Sequence, residues 1–207
     1  MNRSIFASGV LCLALALATL PGRAATIIDD WSMVRVPTPP PLATAPVDPG
    51  TTALLVLDFV KQTCGGPRCT AALPVVAKLL GRARSSKMLV VYSYIFGGTM
   101  ADTLAPVAPL GGEPAVQGGP DKFLGSDLQQ ILTQKGIKTV IVTGTTAQGV
   151  VLYTASHAAM AGMKVVVPLD TMPAELPYAE QFVAWNLANA PRISANVTLT
   201  TSDRVTF

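Results

Sequence analysis

Few residues in this chain are suited to chemistry. Asp58 closes an otherwise apolar run, TALLVLDF, and Lys122 stands in GGPDKFLGSDL just ahead of an expected helix. A carboxylate at the end of so apolar a segment is costly to bury alone, so it calls for an ammonium such as Lys122 or for backbone donors. The plainer reading is that Asp58 caps a turn; the concentration of perturbed carboxylates in clefts favours the functional one. A third segment, TGTTAQGVVLYTA at 143–155, runs from an apolar strand into a helix. Gln148 stands there, able to hydrogen-bond a ligand or to cap the turn.

Cys64 and Cys69 lie in CGGPRC, a spacing unlike the CxxC of a redox site. They are expected to close a structural disulfide, since the glycines between them permit a tight turn. His157 is the sole histidine and has no flanking acid, so it reads as a surface or interface polar group rather than a base. One His and three Cys do not make up the converging ligands of a zinc site, so a zinc enzyme is excluded; the expectation is a cofactor-free protein without a metal.

The elements that must position these groups follow from hydrophobic pattern. Apolar runs at 52–59, 88–95, 139–143, 164–167 and 197–200, with a short one at 115–117, read as strands buried on both faces. Between them, helical periodicity is expected over 71–85, 126–135, 149–160 and 179–189, with Gly136 and Gly162 as stops. Strands and helices in regular alternation imply a three-layer α/β/α sandwich around a mostly parallel, Rossmann-like sheet of about six strands. In such sheets ligands gather beyond the carboxyl ends of the strands, which is where Asp58 and the 143–155 segment fall. The Gly- and Pro-rich stretch 96–120 is long for a connector and reads as a binding or lid region.

The 207 residues suffice for one domain, and 13% charged residues with a net charge of +3 fit neither a disordered chain nor a nucleic-acid binder. Residues 1–24 have a basic start at Arg3, an apolar stretch and small residues before Ala25, the layout of a secretory signal peptide cut after Ala24. A retained anchor is the alternative, disfavoured by the short apolar run. Cleavage removes Cys12, Arg3 and Arg23, leaving 13 basic against 12 acidic residues in a periplasmic or secreted protein without a membrane partner. An oxidising compartment suits the Cys64–Cys69 bridge. Residues 25–50 hold six prolines and read as an arm, either pinned through Ile27 and Trp31 or serving as a loose spacer. The remainder, 51–207, is the expected domain.

Over 52–200 the chain resembles the isochorismatase-like hydrolase superfamily: LLVLDF, FLGSDLQQIL, GIKTVIVTGTTAQ and YTASHAAMAGMKVVVPLD all match its pattern. The resemblance implies the three-layer fold, oligomers, a small-molecule substrate, and hydrolysis by an Asp, Lys and Cys triad. Asp58 takes the place of the aspartate. The nucleophile position falls at Val150, whose side chain has no lone pair, so covalent thiol catalysis is not expected. Lys122 stands a few residues beyond the family's usual lysine, which would fall around Gln117. The nicotinamidase branch binds a metal through an Asp and His cluster, and a lone His157 excludes it.

The isochorismatases proper work without the thiol, and by analogy Asp58 would move a proton while Lys122 holds the negative end of the substrate. The backbone N–H groups from Thr146 through Gly149 to Val150 would receive negative charge at the start of the helix. An exported enzyme would not meet isochorismate, a cytosolic intermediate, so the substrate stays open. So does a second reading, a noncatalytic relative that keeps the fold as a small-molecule binding module or assembly subunit.

Overall fold

A computed structural model describes residues 24–207. The expected leader over 1–24 lies, but for Ala24, outside the described residues. Residues up to Val36 form a unit of their own, in which Thr26 and Asp29 make a reciprocal capping box at the start of the four-residue helix α1 (Ile27–Asp30).

The second unit, from Pro37 to Phe207, is built on a six-stranded parallel sheet. Its strands are β2 (Thr52–Leu57), β3 (Leu89–Tyr94), β4 (Ala115–Gln117), β5 (Thr139–Gly144), β6 (Lys164–Pro168) and β7 (Val197–Thr200), in the order β4-β3-β2-β5-β6-β7. Alternate residues of the strands face opposite ways. Leu54, Val56, Val90, Tyr92, Ile141 and Val166 pack on the face covered by α2 (Pro67–Ser85). Ala53, Leu55, Leu57, Val140, Val142, Val165 and Val167 pack on the other, under α3 (Leu128–Gln134), α4 (Leu152–Met160) and α5 (Pro177–Asn189). This is the α/β/α sandwich expected from the sequence. Gly162 ends α4 at a φ of +86°, which costs an L side chain energy and glycine nothing, and Gly136 does the same after α3 at +67°.

Two proline-rich segments are tied to the body by specific contacts. The proline arm is not free over its whole length: β1 (Ala45–Pro46) pairs in parallel with β8 (Val205–Thr206), Val47 N–H donates to Thr206 O at 2.9 Å, and Ala45 is buried. The body therefore begins near Pro37, because even a proline-rich chain can add an edge pair where it offers free N–H and C=O groups. The Gly- and Pro-rich stretch 96–120 is tied down as well. Leu104 N–H donates to Phe59 O, Thr103 bridges Val60, and Glu113 meets Arg84 in a two-pronged ion pair at 2.8 Å. The same guanidinium reaches Tyr92 Oη and Ala108 O, each at 2.9 Å.

Candidate active site

From β2 the chain runs outward through β3 to β4, then returns to lay β5 on the other side of β2. The crevice between the carboxyl ends of β2 and β5 is thus the switch point of the sheet. Asp58 follows β2 directly, and Thr145, after β5, donates its N–H to Leu57 O at 3.2 Å. Here β5 ends in a cis peptide between Thr145 and Thr146.

Asp58 is 4% exposed and has a φ of 55°, a left-handed conformation that Asp tolerates better than most residues. Its backbone N–H donates to Ser93 O at 3.2 Å while Ser93 Oγ donates to its Oδ1 at 2.7 Å, a reciprocal clasp with β3. Its carbonyl oxygen accepts from Val60 N–H and from the Thr63 hydroxyl.

Lys122, with no exposed surface, meets the same Oδ1 through Nζ at 2.9 Å. Its ammonium also donates to Gly118 O at 2.9 Å and more weakly to Tyr94 O at 3.5 Å. Three acceptors for three N–H groups make burial of this cation tolerable. Burial pushes the Asp58 carboxyl above its ordinary range, and the charge and hydrogen bond of Lys122, then the Ser93 hydroxyl, pull the other way. Among the described residues Oδ2 accepts no hydrogen bond, so it is the oxygen left for a ligand's proton.

The expected pair is therefore brought together, although Lys122 comes from a position beyond the one the family pattern implies. Gln117, at that position, is exposed and donates to Gly98 O at 3.2 Å. The Lys122 ammonium is enclosed, with Asp58 Oδ1, Gly118 O and Tyr94 O as its partners among the described residues.

The expected helix start at Gly149 is also corrected. Residues Ala147–Val151 form a wide π turn, Gly149 leaves helical geometry at φ −102° and ψ −105°, and regular α-helix begins at Leu152. Two of the amides expected to receive negative charge are already used. Ala147 N–H donates to Pro173 O at 3.2 Å and Gly149 N–H to Thr146 O at 3.1 Å. Thr146 and Gly149 are half-buried, Gln148 is exposed, and Val150 is buried against the backbone of Gly144.

His157 does have an acid, supplied from 36 residues away. Its Nδ1 lies 2.8 Å from Asp121 Oδ2, and its ring stacks on Phe123 at 4.6 Å between centroids. No local signal could have shown this pair. Ser93 did leave one: it is a small polar residue near the end of a buried strand, and consecutive strands in such folds commonly lie side by side. In the register Ser93 stands opposite Leu57.

Cys64 and Cys69 are joined by a disulfide with their Cα atoms 5.3 Å apart, at the entry to α2. A groove of about 430 Å³ opens nearby, between the first turns of α2 and the residues after β6; Arg68, Asp170 and Glu180 line it, and Asp58 and Lys122 do not. Among the described residues no three or more His, Cys, Asp or Glu side chains converge as metal ligands would.

Comparison with known proteins agrees with this architecture. Residues 52–203 match the isochorismatase domain family. An N-carbamoylsarcosine amidase from Arthrobacter sp. is 35% identical over 82 residues, a stretch spanning 39% of this chain and 30% of that relative's length. Among solved structures, an isochorismatase family protein from Burkholderia thailandensis superimposes with a TM-score of 0.69 at 18% identity, covering 79% of this chain and 97% of that one. A cysteine hydrolase from Pseudomonas syringae pv. phaseolicola gives 0.67 at 20% identity, covering 79% and 94%. The N-carbamoylsarcosine amidase of Thermoplasma acidophilum gives 0.63 at 22%, covering 74% and 97%. With a family match over most of its length and the switch-point crevice in place, the chain belongs to the isochorismatase family of hydrolases.

Proposed function

We propose that the protein is an exported, thiol-independent hydrolase of a small molecule in which Asp58 is the acid and base. The observation that carries this reading is the enclosed Asp58–Lys122 pair at 2.9 Å, with one carboxylate oxygen lacking a partner among the described residues. Both cysteines among the described residues are bonded to each other, and Val150 stands where the family pattern has its sulfur. The bridge and the leader-like first 24 residues together support export.

In the reaction, protonated Asp58 gives its proton through Oδ2 to the leaving atom as the scissile bond breaks. Water supplies hydroxyl to the other fragment and returns a proton to Asp58. Lys122 holds Oδ1 in place, so that only the opposite oxygen exchanges protons. Since the proton must be present at the outset, turnover should fall as pH rises through the raised pKa of Asp58.

The 82-residue similarity to an N-carbamoylsarcosine amidase puts N-carbamoyl and other small amides first among substrates, ahead of esters and vinyl ethers. The test is to screen the mature protein against such a panel beside Asp58→Asn. Turnover lost in the variant is the expected result, and turnover unchanged in it would eliminate the mechanism. A second reading rests on the complete burial of Lys122, which suits a locked structural anchor in a noncatalytic binding or assembly subunit. Under it the panel yields binding without turnover.

A further inference from the structure

Lys122 reaches Asp58 from a loop, and a loop holds a charged side chain in place only if its own backbone is fixed. The fixing comes from α4. Thr154 Oγ1 donates to Pro120 O at 3.3 Å and accepts from Lys122 N–H at 3.2 Å, so one hydroxyl bridges both ends of the Pro120–Lys122 turn. One turn further along α4, His157 grips both chain neighbours of Lys122: Asp121 through the 2.8 Å contact at Nδ1, and Phe123 through the stacked rings. Asp121 Oδ1 closes the arrangement by accepting from Phe123 N–H at 2.9 Å. Residues 121 and 123 are thus turned to α4 while the lysine between them goes the other way, into the sheet crevice.

We propose that His157 is a positioning residue for the site: by clamping Asp121 and Phe123 to α4 it sets where the Lys122 ammonium stands, and so how firmly Asp58 holds its proton. The inference deepens the reading of Asp58 and Lys122 as the working pair and rests on it. Asp121 belongs to the clamp as the acceptor. The arrangement also accounts for the displaced lysine, since a lysine at 122 finds Asp58 only while the loop is pressed to the helix.

The test reads Asp58 directly and needs no substrate. Side-chain carboxyl carbons are followed by NMR through a pH titration in the wild-type protein and in Lys122→Met, His157→Ala, His157→Gln and Asp121→Ala. Lys122 pulls the Asp58 proton affinity down, so Lys122→Met shifts its midpoint upward. The inference expects His157→Ala and Asp121→Ala to shift it the same way, and His157→Gln, whose amide can still donate to Asp121, to restore most of the wild-type value. A midpoint in His157→Ala that coincides with wild type, while Lys122→Met moves, overturns the clamp and leaves the pair intact. No movement in Lys122→Met overturns the pair itself. If His157→Ala does not fold, Asp121→Ala decides in its place, and failure of both to fold while His157→Gln titrates unlike wild type also counts against the proposal.

Discussion

Asp58 is expensive where it stands. Its carboxyl is buried, its backbone lies at positive φ, and among the described residues one of its oxygens has two donors while the other has none. Removing a single partner of a buried ion pair typically costs about 3–5 kcal/mol, because the remaining charge is left unpaired. Lys122→Met should therefore lower the denaturation midpoint sharply. A loss well under 1 kcal/mol in urea melts would show that the two charges do not depend on each other. The pH dependence has a definite sign. Asp58 is protonated more readily when folded than when unfolded, so its contribution to stability is full below the unfolded value near 3.8 and is lost as pH rises through the folded one. Over that window the melting temperature of Asp58→Asn should gain on that of wild type, then level off at higher pH. A difference that stays constant with pH would contradict the raised carboxyl.

At the scale of elements, the crevice depends on how closely β2 and β5 approach one another. A side chain at Gly144 would put its Cβ 2.8 Å from Leu57 Cβ, 2.9 Å from Leu57 O and 3.0 Å from Val150 Cγ1. Two of those neighbours are the carbonyl at the end of β2, next to Asp58 in the chain, and a buried residue of the π turn. Gly144→Ala should cost about 1–3 kcal/mol by overpacking and loosen the site as well. Equilibrium unfolding at wild-type midpoint would refute that close fit.

This region also marks the limit of what could be read from sequence. The strands were legible because residues such as Leu54 to Leu57 are buried on both faces and leave an unbroken apolar run. Asp58 was legible because it ends that run. The π turn at 147–151 was not, since its residues carry ordinary helical periodicity and only the half-buried Gly149 departs from helical geometry. The start of α2 at Pro67 was missed for a similar reason: Pro67 and Arg68 carry no apolar periodicity, although proline is favoured in a first helical turn. The clamp on Lys122 joins residues more than 30 positions apart, and pairing at that range has no local signature.

For the whole second unit, the question is what secures the strap from Pro37 to Gly50. Among the described residues its long-range hydrogen bonds go to the far end of the sequence: β1 pairs with β8, Ala43 N–H donates to Leu199 O, and Leu42 O accepts from Arg204. Arg82 on α2 in turn holds that end, donating to Ser202 O at 3.0 Å and to Val205 O, with its guanidinium 5.0 Å from the Phe207 ring centre. Two-residue strands are marginal by themselves, so the strap stays in place only while its partner does. Removing Val205–Phe207 should therefore speed amide hydrogen exchange at Val47, whose acceptor is Thr206 O, and at the rest of the strap. Exchange within β2 and β5 should hardly change, because those strands pair with each other and with β3 and β6 rather than with the strap. Protection at Val47 that survives the truncation would mean that the strap is held by packing alone and that the edge pair contributes little.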